Sequence, residues 1–267
     1  MPTALTALTA LLARTRIEGS RAALDVPEDW LQGRSVFGGL QAAIAVQALR
    51  TVVDPTVPLR ALQMAFIAPV PPGVVQAEAR LLRSGKNVTH AESTLCGADG
   101  QTLAHVIGVF GAARASAVLR QPLPPEVRSE RPLRFPYLPG VVPAFTQHFG
   151  ATWLRGGLPF TGEPEPQHVV ALDLHDTGPV TELHVVALAD FIPPVALSLL
   201  RTPSPGSSLT WLLELTSHRF GDWSPSGWRV DAELEAASDG YTSQATRIWA
   251  PDGQLAALSR QSMVVFG

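Results

Sequence analysis

The chain has one cysteine, Cys96, and one lysine, Lys86, in 267 residues. A lone cysteine excludes an intramolecular disulfide and a thiolate metal site of the usual kind, and it fits a reducing compartment. Charge is sparse as well: 16% of residues are Asp, Glu, Lys or Arg, and the formal net charge is −3. Binding to a phosphate backbone needs a dense cationic patch, and no run of arginine supplies one, so nucleic acid is excluded as the main partner. No apolar stretch approaches the roughly 20 residues of a membrane span. The opening segment MPTALTALTALLARTRIEG has no basic residue ahead of its apolar run, and threonine interrupts it. Leu5, Leu8, Leu11 and Leu12 follow helical spacing, which predicts a short amphipathic helix rather than a secretory leader. The expectation is a soluble, cytoplasmic protein without a membrane partner. GxSxG, GxGxxG and Walker-type loops are missing, which disfavours a serine-nucleophile elbow and nucleotide chemistry of those kinds. The seven histidines show no HxH or HxxxH spacing, so no metal is expected.

Hydrophobic residues are plentiful, at 46%, which excludes a disordered chain. Proline is too, and much of it falls between residues 113 and 143, ARASAVLRQPLPPEVRSERPLRFPYLPGVVP. Proline removes a backbone donor and fixes φ, so this stretch is neither a central strand nor a helix interior. It reads as an extended connector and divides the chain into an N-terminal unit (1–115), a connector (116–143) and a C-terminal unit (144–267).

The two units share an order of elements. Residues 37–53, FGGLQAAIAVQALRTVV, form a helix-length run that opens at Gly38 and Gly39 and is apolar nearly all round. Such a helix is wrapped on most sides. Strand-like stretches follow at 59–68, 74–82, 87–96 and 102–110, separated by the turn signals PPG, SGKN and ADGQ. In the second unit a helical run at 183–200 is broken by Pro193 and Pro194. Strands are expected after it at 209–220, 228–237, 241–249 and 255–266, and before it at 146–155 and 169–174. A helix followed by an antiparallel meander, twice over, predicts an α+β fold in which each curved sheet buries one helix.

The segments GRSVFGGLQAAIAVQAL (33–49), LRALQMAFIAPVPPG (59–73), RSGKNVTHAE (83–92) and DGQTLAHVIGVF (99–110) resemble the first half of the acyl-CoA thioesterase II (TesB-like) double-hotdog proteins. LADFIPPVAL (188–197), SLTWLLELTSHR (208–219) and APDGQLAALSRQSMVV (250–265) resemble their second half, in the expected order. The resemblance implies two tandem hotdog folds, hydrolysis of an acyl-CoA thioester, and no metal or organic cofactor. It also implies an active site made of an Asp at the start of the second hotdog helix, a Thr on the next strand and a Gln on the final strand. These positions fall on Asp190, Thr210 and Gln261. Where many relatives carry a His after the first helix, this chain has Gln63.

Thioester hydrolysis needs an activated water, aimed at the carbonyl carbon, and donors for the developing oxyanion. Asp190 can take the proton, and burial in its apolar setting, ALADFIPP, would raise its pKa. Alone it reads as a helix N-cap; beside Thr210 and Gln261, catalysis is the stronger reading. Gly38 and Gly39, at a helix N-terminus, are the oxyanion candidates, and they also suit tight helix packing. Both readings stand at this point. Arg34 and Arg83 are the candidates for CoA phosphates, although solvated surface charge is the simpler account of each. Two other functions are considered: a non-catalytic acyl or acyl-CoA binding module, and an enoyl-thioester hydratase, for which no His is evident near Asp190. Apolar surface left over once the halves pair predicts a homodimer or larger homo-oligomer.

Overall fold

A computed structural model describes residues 5–129 and 131–266. Its helices are α1 (Leu8–Leu12), α2 (Gly38–Leu49), α3 (Glu182–Ala189) and α4 (Ala196–Leu199). The first unit contributes strands β1 (Arg16–Glu18), β2 (Arg21–Val26), β3 (Leu31–Gln32), β4 (Ser35–Val36), β5 (Leu59–Phe66), β6 (Gly73–Ser84), β7 (Val88–Cys96) and β8 (Thr102–Gly111). After the connector come β9 (Leu133–Phe135), β10 (Phe149–Arg155), β11 (Gln167–Leu174), β12 (Gly206–Leu215), β13 (Trp228–Ser238), β14 (Tyr241–Trp249) and β15 (Leu255–Val265).

Thirteen strands form one antiparallel sheet in the order β1-β2-β6-β7-β8-β5-β12-β15-β14-β13-β11-β10-β9. The two halves are joined edge to edge by β5 and β12, with Leu213 opposite Leu62 and Thr210 opposite Ala65. This pairing covers two strand edges that would otherwise be open to other chains. The expected simple meander is corrected here. Of the four strands after each helix, only β6-β7-β8 and β13-β14-β15 run consecutively; β5 and β12, the first of each set, cross over to pair with β8 and β15. The crossover brings the first strand back beside the last, so that each sheet can curl around its helix. β1 and β2 were not among the expected strands: three consecutive apolar residues, Ala22, Ala23 and Leu24, hide the alternation of RAALDV, and β1 has three residues.

Within α2 every residue except Gln47 is buried, as its nearly uniform apolar run requires. One side lies on the sheet and another on α3. Gln47 ties in the N-terminal helix: its amide donates to Leu12 O (3.1 Å) and its carbonyl accepts from Thr15 Oγ1 (2.8 Å). Leu8, Leu11 and Leu12 of α1 are buried as the spacing predicts, but Leu5 precedes the helix and is 48% exposed. Trp211, Trp223, Trp228 and Trp249 are all buried. Each unit is therefore a sheet wrapped on a central helix, the tandem hotdog arrangement. Among the described residues no helix is long and apolar enough to cross a membrane.

Candidate active site

The two central helices lie antiparallel, and each end of the pair is fastened by charge. At one end Arg50, the C-cap of α2, donates from Nε and Nη2 to both Glu182 carboxylate oxygens (2.7 and 2.6 Å). A cation at a helix C-terminus and an anion at a helix N-terminus both agree with the macrodipoles. At the other end the N-terminus of α2 meets Asp190, the C-cap of α3. This corrects the expectation that Asp190 opens its helix. The N-cap is Thr181, whose backbone N–H donates to His184 Nδ1 (3.0 Å) and whose hydroxyl bonds the same atom (2.8 Å). Asp190 ends the helix because Pro193 and Pro194 cannot continue it, and α4 starts only at Ala196.

A carboxylate at the C-terminal end of its own helix faces the negative pole of the dipole. Asp190 is compensated from across the interface. Gln261, on β15, donates its amide to Asp190 Oδ1 at 2.5 Å, and the Gly39 backbone N–H also bonds the carboxylate. Burial outweighs both and pushes the carboxyl up to about 7. The group is therefore poised to gain and lose a proton near neutral pH, as a general base must.

The glycine pair is required by closeness. A Cβ on Gly38 would stand 2.5 Å from Asp190 Oδ2, and one on Gly39 would stand 2.8 Å from Ala187 O of α3. Packing and chemistry thus coincide at this pair: absence of side chains lets α2 bring its N–H groups to the carboxylate.

Asp190 lies where two cavities meet. One, of about 510 Å³, is apolar and is lined by Phe135, Phe145, Trp153, Phe191, Ile192 and Met263 among others, and by Gln261 of β15. The second, of about 590 Å³, is more polar and is lined by Arg34, Ser35, Gly38, Gln41 and Phe66 among others. Gln32, Asp190, Gly206, Ser207 and Ser208 line both. The connector does more than link the units, since Phe135, Pro136, Leu138 and residues 141–143 wall the apolar cavity. Phe145 stacks on Phe37, the residue before Gly38, with centroids 4.0 Å apart.

Profiles of two domains match the chain: the acyl-CoA thioesterase N-terminal domain over residues 26–111 and the acyl-CoA thioesterase C-terminal domain over residues 120–265. The chain belongs to the acyl-CoA thioesterase family. Solved structures agree on the fold. A hot dog fold protein of unknown function from Alicyclobacillus acidocaldarius is 21% identical, with TM-score 0.87, 98% of this chain and 99% of that one covered. The tesB protein of Mycobacterium avium subs paratuberculosis is 15% identical (TM-score 0.79; 98% and 100% covered). An acyl-CoA thioesterase II, TesB2, from Mycobacterium marinum is 15% identical (TM-score 0.70; 94% of each). No curated protein matches the chain.

Against this family frame, the structure unites Asp190 and Gln261 but leaves Thr210 outside. Thr210 is exposed, opposite Ser262 on the outer face of the sheet, while its neighbour Trp211 lies opposite Gln261 on the inner face. Ser208, half-buried, lines both cavities with Asp190, as does the exposed Ser207. The register shifts between Ser208 and Thr210, and this one extra residue reverses the in-out alternation. Ser208 is thereby placed opposite Met263, which lines the apolar cavity. Ser208 and Thr210 stand two apart in SSLT, and the bulge puts them on opposite faces. Gln63 is exposed between buried Leu62 and Met64, so it points away from the pair. Arg34 lines the polar cavity, whereas Arg83 is exposed near the end of β6 and lines neither.

Proposed function

We propose that this protein hydrolyses an acyl-CoA thioester with a water activated by Asp190. The observation that carries the reading is the Asp190–Gln261 pair at the junction of an apolar and a polar cavity. A thioester laid across that junction would place its acyl group among the aromatic walls and its pantetheine arm beside Arg34. Asp190 takes a proton from water as the water oxygen attacks the carbonyl carbon. Gln261 donates its N–H to Asp190, which leaves its carbonyl oxygen free to accept from the same water. The Gly39 N–H is directed at the carboxylate, so Gly38 N–H, at the first turn of α2, is the backbone donor for the oxyanion. Collapse of the tetrahedral intermediate breaks the C–S bond, and Asp190 returns its proton to the departing thiolate. The products are a free acid and CoA.

The position of Asp190 favours catalysis over a purely binding role: a half-buried carboxyl with a raised pKa, held by Gln261 and open to both cavities, is where a water and a thioester would meet. A hydratase is disfavoured by the histidines. Among the described residues none lines either cavity. His168 bonds Ser198 (3.1 Å) and burial pushes it down to about 4; His148 stacks on Trp30 beside Asp29; His184 caps α3.

The test is thiol release from a panel of acyl-CoAs. Ser208→Ala should lower kcat about tenfold or more, and Thr210→Ala should stay within about twofold of the parent. Equal losses in the two variants would remove Ser208 from the site. Thiol release from no acyl-CoA, alongside ligand-dependent thermal stabilisation, would favour the binding module.

A further inference from the structure

We propose that Phe160 is a specificity-determining residue whose ring limits which acyl groups enter the apolar cavity. Its backbone adopts φ 67°, in the left-handed region that glycine tolerates and an aromatic residue does not favour. The only other described non-glycine residue with positive φ is Asp239. Glycine is used for the same conformation at two nearby positions, Gly156 (φ 80°) and Gly162 (φ 69°). If only the turn mattered at residue 160, glycine would meet the need at lower cost. A phenylalanine there implies that the side chain has a use.

The surroundings show what that use is. Phe160 lines the apolar cavity together with Leu158 and Pro159 on one side and Leu197 on α4. The strained conformation is held by a backbone lattice against α4: Phe160 N–H donates to Leu197 O (2.8 Å), Gly162 N–H to Leu200 O (2.9 Å) and Glu163 N–H to Ser198 O (2.8 Å). The lining also includes Pro143, Pro193, Pro194, Phe145 and Trp153, whose rings leave few side-chain rotamers. A cavity with rigid walls discriminates by shape, and removal of one ring changes what fits. Backbone strain held in place by its neighbours at a cavity wall is the arrangement expected of a residue that positions a ligand.

The inference rests on the thioesterase reading for its hydrolytic readout, so the experiment carries a second readout. Phe160→Gly and Phe160→Ala are compared with the parent for thiol release from straight-chain acyl-CoAs from acetyl to palmitoyl and from phenylacetyl-CoA. In parallel, binding of non-hydrolysable thioether analogues of the same series is measured by calorimetry. Both variants should shift the ratio of kcat/KM for bulky over short acyl groups by tenfold or more, a range that small changes in pocket volume reach. Binding ratios should move the same way. Because glycine is at ease at this φ, Phe160→Gly should melt higher than Phe160→Ala; the opposite order overturns the strain premise. An unchanged ratio in both readouts overturns the proposal. A shifted binding ratio in a protein that releases no thiol supports the role of Phe160 and overturns the thioesterase reading.

Discussion

Asp190→Asn should reduce thiol release by about 10²–10⁴-fold, the usual contribution of a general acid-base group. The same variant should be more stable than the parent above pH 7. The sign follows from linkage. The folded-state carboxyl titrates at about 7, against 3.8 for the ordinary group, so between those values the native protein binds more protons than the unfolded chain. Stability contributed by the protonated form is therefore complete below about pH 4 and is lost as pH rises to about 7. At about 1.4 kcal/mol per pH unit of displacement, the loss amounts to a few kcal/mol. Asparagine is never charged and escapes it. Thermal melts at pH 4 and pH 8 should show the two proteins alike at the lower pH and the variant several degrees higher at the upper. In the parent, kcat should rise with pH through an apparent pKa near 7. Equal melting temperatures at pH 8 would mean that Asp190 is not buried as a charged group.

The glycine pair should separate packing from chemistry. Gly39→Ala drives a methyl group to within 2.8 Å of Ala187 O, a backbone atom of a packed helix that has nowhere to go. Overpacking of this kind costs about 1–3 kcal/mol, and the helices must part to relieve it. Gly38→Ala instead meets the Asp190 carboxylate oxygen at 2.5 Å and the Phe66 ring at 3.1 Å. Both are side chains and can yield, so the fold should be kept while the carboxylate is displaced and activity collapses. Urea titration and thiol release, measured on both variants, resolve the two effects. A Gly38→Ala protein with parental kcat would remove that glycine, and the close approach it permits, from the mechanism.

Much of this architecture was legible in the residues. An apolar run with no polar face announced that α2 would be enclosed, and the turn signals separated the strands close to where the sheet divides them. Pro193 and Pro194 marked the break after Asp190. The family resemblance placed Asp190, Thr210 and Gln261 in one site; Asp190 and Gln261 touch across 71 residues of sequence, and Thr210 lies on the outer face. Other features depended on non-local pairing. Nothing in the alternation of SSLTWLLEL discloses that one residue is skipped opposite β15, yet that skip turns Ser208 inward and Thr210 outward. Nor does LADFIPP reveal which end of a helix its aspartate occupies, since Asp and Pro are common near both.

By itself the sequence determined the long strands that follow each helix and the enclosure of α2, because hydrophobic periodicity and proline act over a few residues. It also excluded an intramolecular disulfide, because the chain has one cysteine. Only the tertiary structure decided that the two sheets join through β5 and β12, that the antiparallel helices oppose a carboxylate to a helix N-terminus, and that the connector walls a cavity. Those outcomes turn on register and approach distance between segments far apart in the chain, where a shift of one residue reverses a face and one added methyl group blocks a contact.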